Sequence, residues 1–167
     1  MSLESIAAFA RETAMKENGH APMLLAEGDK GLVVALFEQP PALFELRLLA
    51  MYSAGLTLAK RGEVGILHQV FFISEAWMSV GDKPDEEPVR PTEDPDRKEV
   101  LIVYETRMQD RGSDVVIFEI ARDEDKAIAD LQEFEPPETE KGTEEVQSPL
   151  LDAFIAGYLM GVSGSYN

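Results

Sequence analysis

Three glutamates lie within apolar, strand-like segments and are the first candidates for chemistry. Glu75 interrupts FFISEAWMSV, Glu105 lies in KEVLIVYETRM, and Glu119 lies in VVIFEIAR. Carboxylates that converge from neighbouring strands can bind Mg²⁺ or Ca²⁺. One hypothesis is therefore a small metal-assisted hydrolase that uses these strand carboxylates, with Glu75 as a catalytic candidate and all three as metal ligands.

His68 is the other catalytic candidate, but it does not combine readily with Glu75. The two residues are separated by an odd number of positions, and a regular strand directs such side chains to opposite faces. A tight turn at Arg111-Gly112 would also place Glu105 opposite Phe118, on the other face from Glu119. The alternative interpretation is that each glutamate pairs with a nearby arginine or a backbone donor.

His20 follows the end of the first predicted helix, and we expect it to be exposed to solvent. The sequence contains no phosphate-binding loop, no dinucleotide-binding fingerprint, no HExxH and no GxSxG. It also contains no cysteine, which excludes thiol nucleophiles and thiolate metal sites. We therefore favour a protein without catalytic activity and without a cofactor.

The charge of the chain limits its partners. Its 167 residues include 32 acidic and 15 basic side chains, a formal net charge of −17. Such a field repels nucleic acid and anionic membranes. The chain has no signal-peptide pattern at its N-terminus and no apolar stretch of membrane-spanning length. We expect a cytoplasmic protein that binds neither nucleic acid nor membrane.

The acidic residues are concentrated in two segments. Residues 123–147 contain ten acids and two bases, and residues 82–99 contain eight acids and four bases. An acidic decoy for a nucleic-acid-binding protein is thus another hypothesis, although solvated loops explain the charge more simply. We predict an irregular acidic loop at 81–97 and an acidic linker at 135–147.

The N-terminal part predicts a helix followed by a hairpin. Residues 2–17 repeat apolar side chains at helical spacing, with Ser2 as N-cap. Asn18 and Gly19 tolerate the left-handed conformation that ends helices. The runs PMLLAEG and GLVVALFE flank Asp29-Lys30 and predict a β-hairpin.

A second helix is predicted over residues 41–60. Pro40 and Pro41 suit its first turn, and Lys60-Arg61-Gly62 suits its end. Its side chains are apolar around most of the circumference, which predicts burial on more than one side.

The remaining elements complete an α-β-β-α-β-β-β-α order. Strands are predicted within 64–80, 98–108 and 115–122, a short helix after residue 123, and a last helix after Ser148. This order resembles that of the roadblock and profilin-like scaffolds, and the resemblance implies a dimerising or binding module. We expect a single α+β domain over residues 1–167, with a five-stranded, mostly antiparallel sheet and helices on both faces.

Two features predict contact with a partner. Trp77 is an interface residue if it is exposed, although burial in the core is the interpretation we favour. The small residues Ala153, Gly157 and Gly161 form one line on the last helix. They would allow another backbone to approach closely, and we favour packing on the sheet of this domain over a contact with a second copy. Our leading hypothesis is a protein-binding or dimerisation module that forms a homodimer through a helix face or an edge strand.

Overall fold

The computed structural model describes residues 1–37, 41–79, 96–134 and 148–164. These ranges hold three helices and six strands, which confirms the α+β class. In chain order they are α1 (Leu3–Glu17), β1 (Met23–Gly28), β2 (Gly31–Leu36), α2 (Phe44–Arg61), β3 (Leu67–Met78), β4 (Lys98–Arg107), β5 (Ser113–Arg122), β6 (Ile128–Glu133) and α3 (Pro149–Gly164). The strands form one antiparallel sheet in the order β2-β1-β3-β4-β5-β6.

The predicted number of five strands is wrong because residues 128–133 form β6 instead of a short helix. Ile128, Leu131 and Phe134 have helical spacing, but the preceding turn directs the chain back along β5. The Asp123 carboxylate accepts hydrogen bonds from the N–H groups of Asp125 and Ala127, both at 2.9 Å. Pairing with β5 then satisfies backbone groups that a short isolated helix leaves partly unpaired.

The predicted ends of the first helix and the hairpin are confirmed. The Ser2 side chain accepts a hydrogen bond from the Ser5 N–H, and Asn18 is left-handed at φ 58°. The hairpin pairs Gly28 with Gly31 across Asp29-Lys30. These features are set by local backbone hydrogen bonds and by residues that tolerate unusual φ angles.

Helix α2 starts later than predicted, and its first turns are more exposed. Leu43 is the N-cap and is extended, so Pro41 precedes the helix, whereas Pro40 lies outside the described residues. The exposed apolar residues of this region are Leu43, Phe44, Leu46 and Leu49. Burial on more than one side is therefore wrong for the first half of α2. Gly62 ends the helix at φ 66°, as expected.

The connection between β4 and β5 is a longer loop than the two-residue turn we predicted. The Arg107 N–H donates to the Gly112 carbonyl, and the hydroxyls of Thr106 and Ser113 are 3.1 Å apart. The Asp110 carboxylate accepts a hydrogen bond from the Gly112 N–H at 3.0 Å. This side-chain bond stabilises an alternative loop, so the predicted tight turn at Arg111-Gly112 is wrong.

The contacts divide the described residues into two compact units. The first comprises 1–21, 73–79, 96–103 and 116–134, and in it α1 contacts β6. The second comprises 22–37, 41–72, 104–115 and 148–164. In the second unit, α2 and α3 pack on strand residues such as Leu24, Val70 and Phe72. The acidic segments predicted at 81–97 and 135–147 lie almost entirely outside the described residues.

Candidate functional site

Glu75, which lies in an apolar strand, has both a backbone donor and a basic side chain as partners. Its Oε1 accepts a hydrogen bond from the His20 backbone N–H at 2.6 Å, and its Oε2 lies 3.9 Å from Arg122 Nη2. Arg122 also holds Glu99 through two nitrogens, at 2.5 and 2.7 Å. These bonds to Glu99, with a smaller contribution from Glu75, raise the pKa of Arg122. Glu75 thus belongs to a network in the first unit in which one guanidinium, that of Arg122, serves two carboxylates.

The other two strand glutamates have separate bases. Glu105 is buried, and its Oε2 accepts from Arg107 Nη1 at 2.9 Å. Glu119 pairs with Lys98 at 2.5 Å. Among the residues that the structure describes, no three acidic or histidine side chains group as metal ligands. The predicted carboxylates are therefore distributed over several ion pairs.

The two histidines differ from each other in burial. His68 is exposed, and its carbonyl oxygen accepts a hydrogen bond from the Met108 N–H at 2.8 Å. His20 is buried, so the expected solvent exposure is wrong. Its Nδ1 lies 2.8 Å from the Ala21 carbonyl oxygen, and Phe9 packs edge-on against the ring. Its Nε2 has no hydrogen-bond partner within the described ranges.

Trp77 is half-exposed, so the favoured interpretation as a core residue is wrong. Arg97 lies over its ring, with Cζ 4.6 Å from the centroid. A guanidinium over an indole face is a favourable cation–π contact. This contact accounts for one face of the ring, and a role for Trp77 in an interface stays a prediction.

Gly157 and Gly161 of α3 contact helix α2 of the same chain, so the packing on the sheet that we favoured is wrong for these two residues. A Cβ added at Gly157 would overlap the Tyr52 carbonyl oxygen, and one added at Gly55 would overlap that of Phe154. Gly161 lies against Ala59. Ala153 packs against the apolar cluster that contains Ala59, Val70 and Phe72. The glycines therefore allow two helices to approach closely within one unit.

A cavity of about 550 Å³ lies beside the C-terminal ends of α2 and α3. Its polar groups bond to one another. The Tyr158 hydroxyl donates to the Gly65 carbonyl at 2.6 Å, and Lys30 Nζ donates to that of Gly62 at 3.2 Å. Burial, and to a lesser extent Asp29, raises the pKa of Tyr158. The remaining lining is mostly apolar, and these bonded groups provide no obvious catalytic pair.

Strand β2 carries a feature that our sequence reasoning did not identify. Leu32, Val34 and Leu36 are 45%, 50% and 59% exposed, and they alternate with partly buried neighbours. No residue from 31 to 37 carries a charge. An uncharged strand beside a hairpin turn was a signal available in the sequence, but residues 48–59 and 153–167 are also uncharged, so charge alone does not identify this surface.

The residues of β2 with exposed side chains also direct their backbone groups away from β1, toward the outer edge of this strand. The Phe37 N–H donates to the Pro22 carbonyl at 2.9 Å, which extends the regular β1–β2 register by one pair. Hydrogen-bonded and non-hydrogen-bonded pairs alternate in an antiparallel ladder. Leu32, Val34 and Leu36 are therefore in non-hydrogen-bonded pairs with β1, and their N–H and C=O groups point away from it.

Comparisons of the chain with protein-family models, with curated proteins and with solved structures give no match. Within the described ranges, no helix combines the length and the apolar character needed to cross a bilayer.

Proposed function

We propose that this protein is a non-catalytic binding and dimerisation module that associates through strand β2. The observation that carries the proposal is the β2 edge, where exposed apolar side chains and outward backbone groups belong to the same three residues. An edge strand with these properties is a template for pairing with another chain.

The energetics favour burial of this strand by a partner. Each of Leu32, Val34 and Leu36 has about half of its side chain exposed, and covering that half contributes roughly 1 kcal/mol per residue. Backbone hydrogen bonds to a partner strand add affinity and fix its direction.

We also keep the expectation that helices cover both faces of the sheet. Val100 and Leu101 are adjacent in β4, so their side chains point to opposite faces, and both are fully buried.

The carboxylate geometry supports a non-catalytic role. Glu75, Glu105 and Glu119 each have a basic partner from this chain. Each carboxylate is therefore engaged in a contact within the fold, as expected of a charge placed in an apolar strand. The arrangement is typical of structural ion pairs.

Sedimentation velocity of the 167-residue chain tests the proposal. We expect the wild type to be a dimer at tens of micromolar and Val34→Lys to be a monomer, because lysine places a solvated charge at the centre of the exposed strand. The matched control is Ala129→Lys, which adds the same charge at an exposed residue of β6. A monomeric wild type, or equal effects of the two substitutions, would contradict the proposal.

A further inference from the structure

We infer that the partner is a second copy of this chain, whose β2 pairs antiparallel with β2 about a two-fold axis at Val34. The inference rests on the proposed function and adds the identity, direction and register of the partner strand. The two six-stranded sheets would then continue into one another through their β2 edges.

The sequence of β2 is nearly symmetric about Val34. Reading outward from that residue, Val33 corresponds to Ala35 and Leu32 corresponds to Leu36. Two-fold pairing centred there places Val34 opposite Val34 and each Leu32 opposite a Leu36 of the other copy. Apolar side chains of matching size therefore meet across the axis.

The hydrogen-bonding direction selects this register. The outward groups belong to residues 32, 34 and 36, so only these positions can exchange bonds with the partner strand. An axis at Val34 gives three such pairs and about six hydrogen bonds. Moving the axis by one residue shifts the partner of every position by two residues. One of the three outward positions would then lie opposite a residue outside β2.

Charge favours a second copy over an unrelated acidic or basic segment. Two chains of −17 repel each other, so association is favoured at surfaces that carry no charge. Residues 31–37 contain no charged side chain that could repel its own copy or select a complementary charge on another protein. Self-pairing thus brings together two strands that carry no charge.

The absence of cysteine allows a clean crosslinking test of the register. In the proposed dimer, the two Val34 Cα atoms lie about 5.5 Å apart, within the range that a disulfide spans. Val34→Cys is a conservative change at an exposed position. We expect it to form a covalent dimer under mild oxidation with glutathione disulfide, and we expect reduction to reverse it.

Two further single-cysteine variants provide the matched controls. Leu32→Cys alone and Leu36→Cys alone should not crosslink, because the identical positions are four residues apart, about 13 Å along the strand. An equimolar mixture of the two variants should crosslink, since residues 32 and 36 face each other. Sedimentation under reducing conditions verifies that each variant still dimerises.

The outcomes separate this inference from the proposed function. A reduced dimer in which Val34→Cys does not crosslink, or in which Leu32→Cys alone does, overturns the register but leaves the dimerisation module standing. A dimer that Leu46→Lys dissociates and Val34→Lys does not would place the contact on the exposed part of α2 instead. A chain that remains monomeric at tens of micromolar removes both the inference and the self-association it rests on.

Discussion

The two strands at the ends of the sheet order, β2 and β6, differ in how their outward backbone groups are treated. In β6 the Phe134 N–H donates to the Ile117 carbonyl, so the alternation directs the Leu131 N–H away from β5. That N–H donates to the Asp130 carboxylate at 2.8 Å, and the Ile128 N–H donates to Asn18 Oδ1 at 2.7 Å. Strand β2 has no polar side chain that could accept in the same way.

The contrast shows which chemistry closes an edge and which leaves it open. Beside β6, short polar side chains occupy outward donors, and a register shift at Ala121 and Arg122 interrupts the β5–β6 ladder. Charge, bulges and covered donors are the usual protections against edge-to-edge pairing. Strand β2 keeps a regular register with β1, and the described residues provide it with none of these protections, so we propose it as the binding edge.

The largest expected effect comes from proline substitutions at Val33 and Val34. The Val33 N–H points toward β1, and the Val34 N–H points away from it. Val33→Pro removes a donor directed toward β1, so we expect roughly 2 to 4 kcal/mol of lost stability. Val34→Pro removes only an outward donor, so the fold should persist while the dimer weakens at least tenfold. Thermal unfolding measures the first effect, and sedimentation velocity measures the second.

Val33→Ala and Val34→Ala are the control variants, because they shorten the side chain and keep the backbone N–H. Val33→Ala should destabilise much less than Val33→Pro, since the N–H remains. If the two prolines reduce stability equally, the assignment of inward and outward groups on β2 is wrong.

A smaller effect should follow from opening the β6 edge. Asp130→Val removes the carboxylate that covers the Leu131 N–H and lies 4.0 Å from Arg11. We expect species larger than a dimer at high concentration, because a second edge can then pair. Asp130→Asn keeps an acceptor oxygen at that position and is the matched control. An unchanged dimer for Asp130→Val would show that the register shift and the remaining contacts close β6 without this carboxylate.

The smallest effect concerns the pH dependence of the same edge. The pKa of Asp130 is lowered mainly by a hydrogen bond from Gln132, then by the Leu131 N–H and by Arg11. A lowered pKa means that this stabilisation is present above the unfolded-state pKa, about 3.9, and is lost as the pH falls through the folded-state value. Between pH 5 and pH 2, the wild type should therefore lose more stability than Asp130→Asn. Urea unfolding across this range measures the difference, and parallel curves for the two proteins would contradict the assigned cause.

Much of the fold could be predicted because its determinants are local. The Ser2 cap, the left-handed Asn18 and the Asp29-Lys30 hairpin each depend on a few neighbouring residues. The need of Glu75 for a base or a backbone donor was also predictable, since an apolar strand penalises an unpaired carboxylate. Its particular partners, Arg122 and the His20 N–H, come from distant parts of the chain.

The failures share a physical origin in contacts between distant segments. Ile128, Leu131 and Phe134 satisfy helical spacing, but pairing with β5 outweighs that periodicity. His20 follows a helix stop and reads as a loop residue, yet contacts with Phe9 and Glu75 bury it. No short window of the sequence contains these interactions.

By itself, the sequence determined both ends of α1, the C-terminal end of α2, the first hairpin, the strong negative charge and the uncharged run over residues 31–37. Each follows from composition or from backbone preferences over a few residues. Only the tertiary structure decided that this run ends the sheet order and that its exposed residues carry the outward backbone groups. It also decided that side chains accept from two N–H groups of β6, those of Ile128 and Leu131. Strand order and hydrogen-bond direction depend on which distant segments pair, and pairing is a property of the whole folded chain.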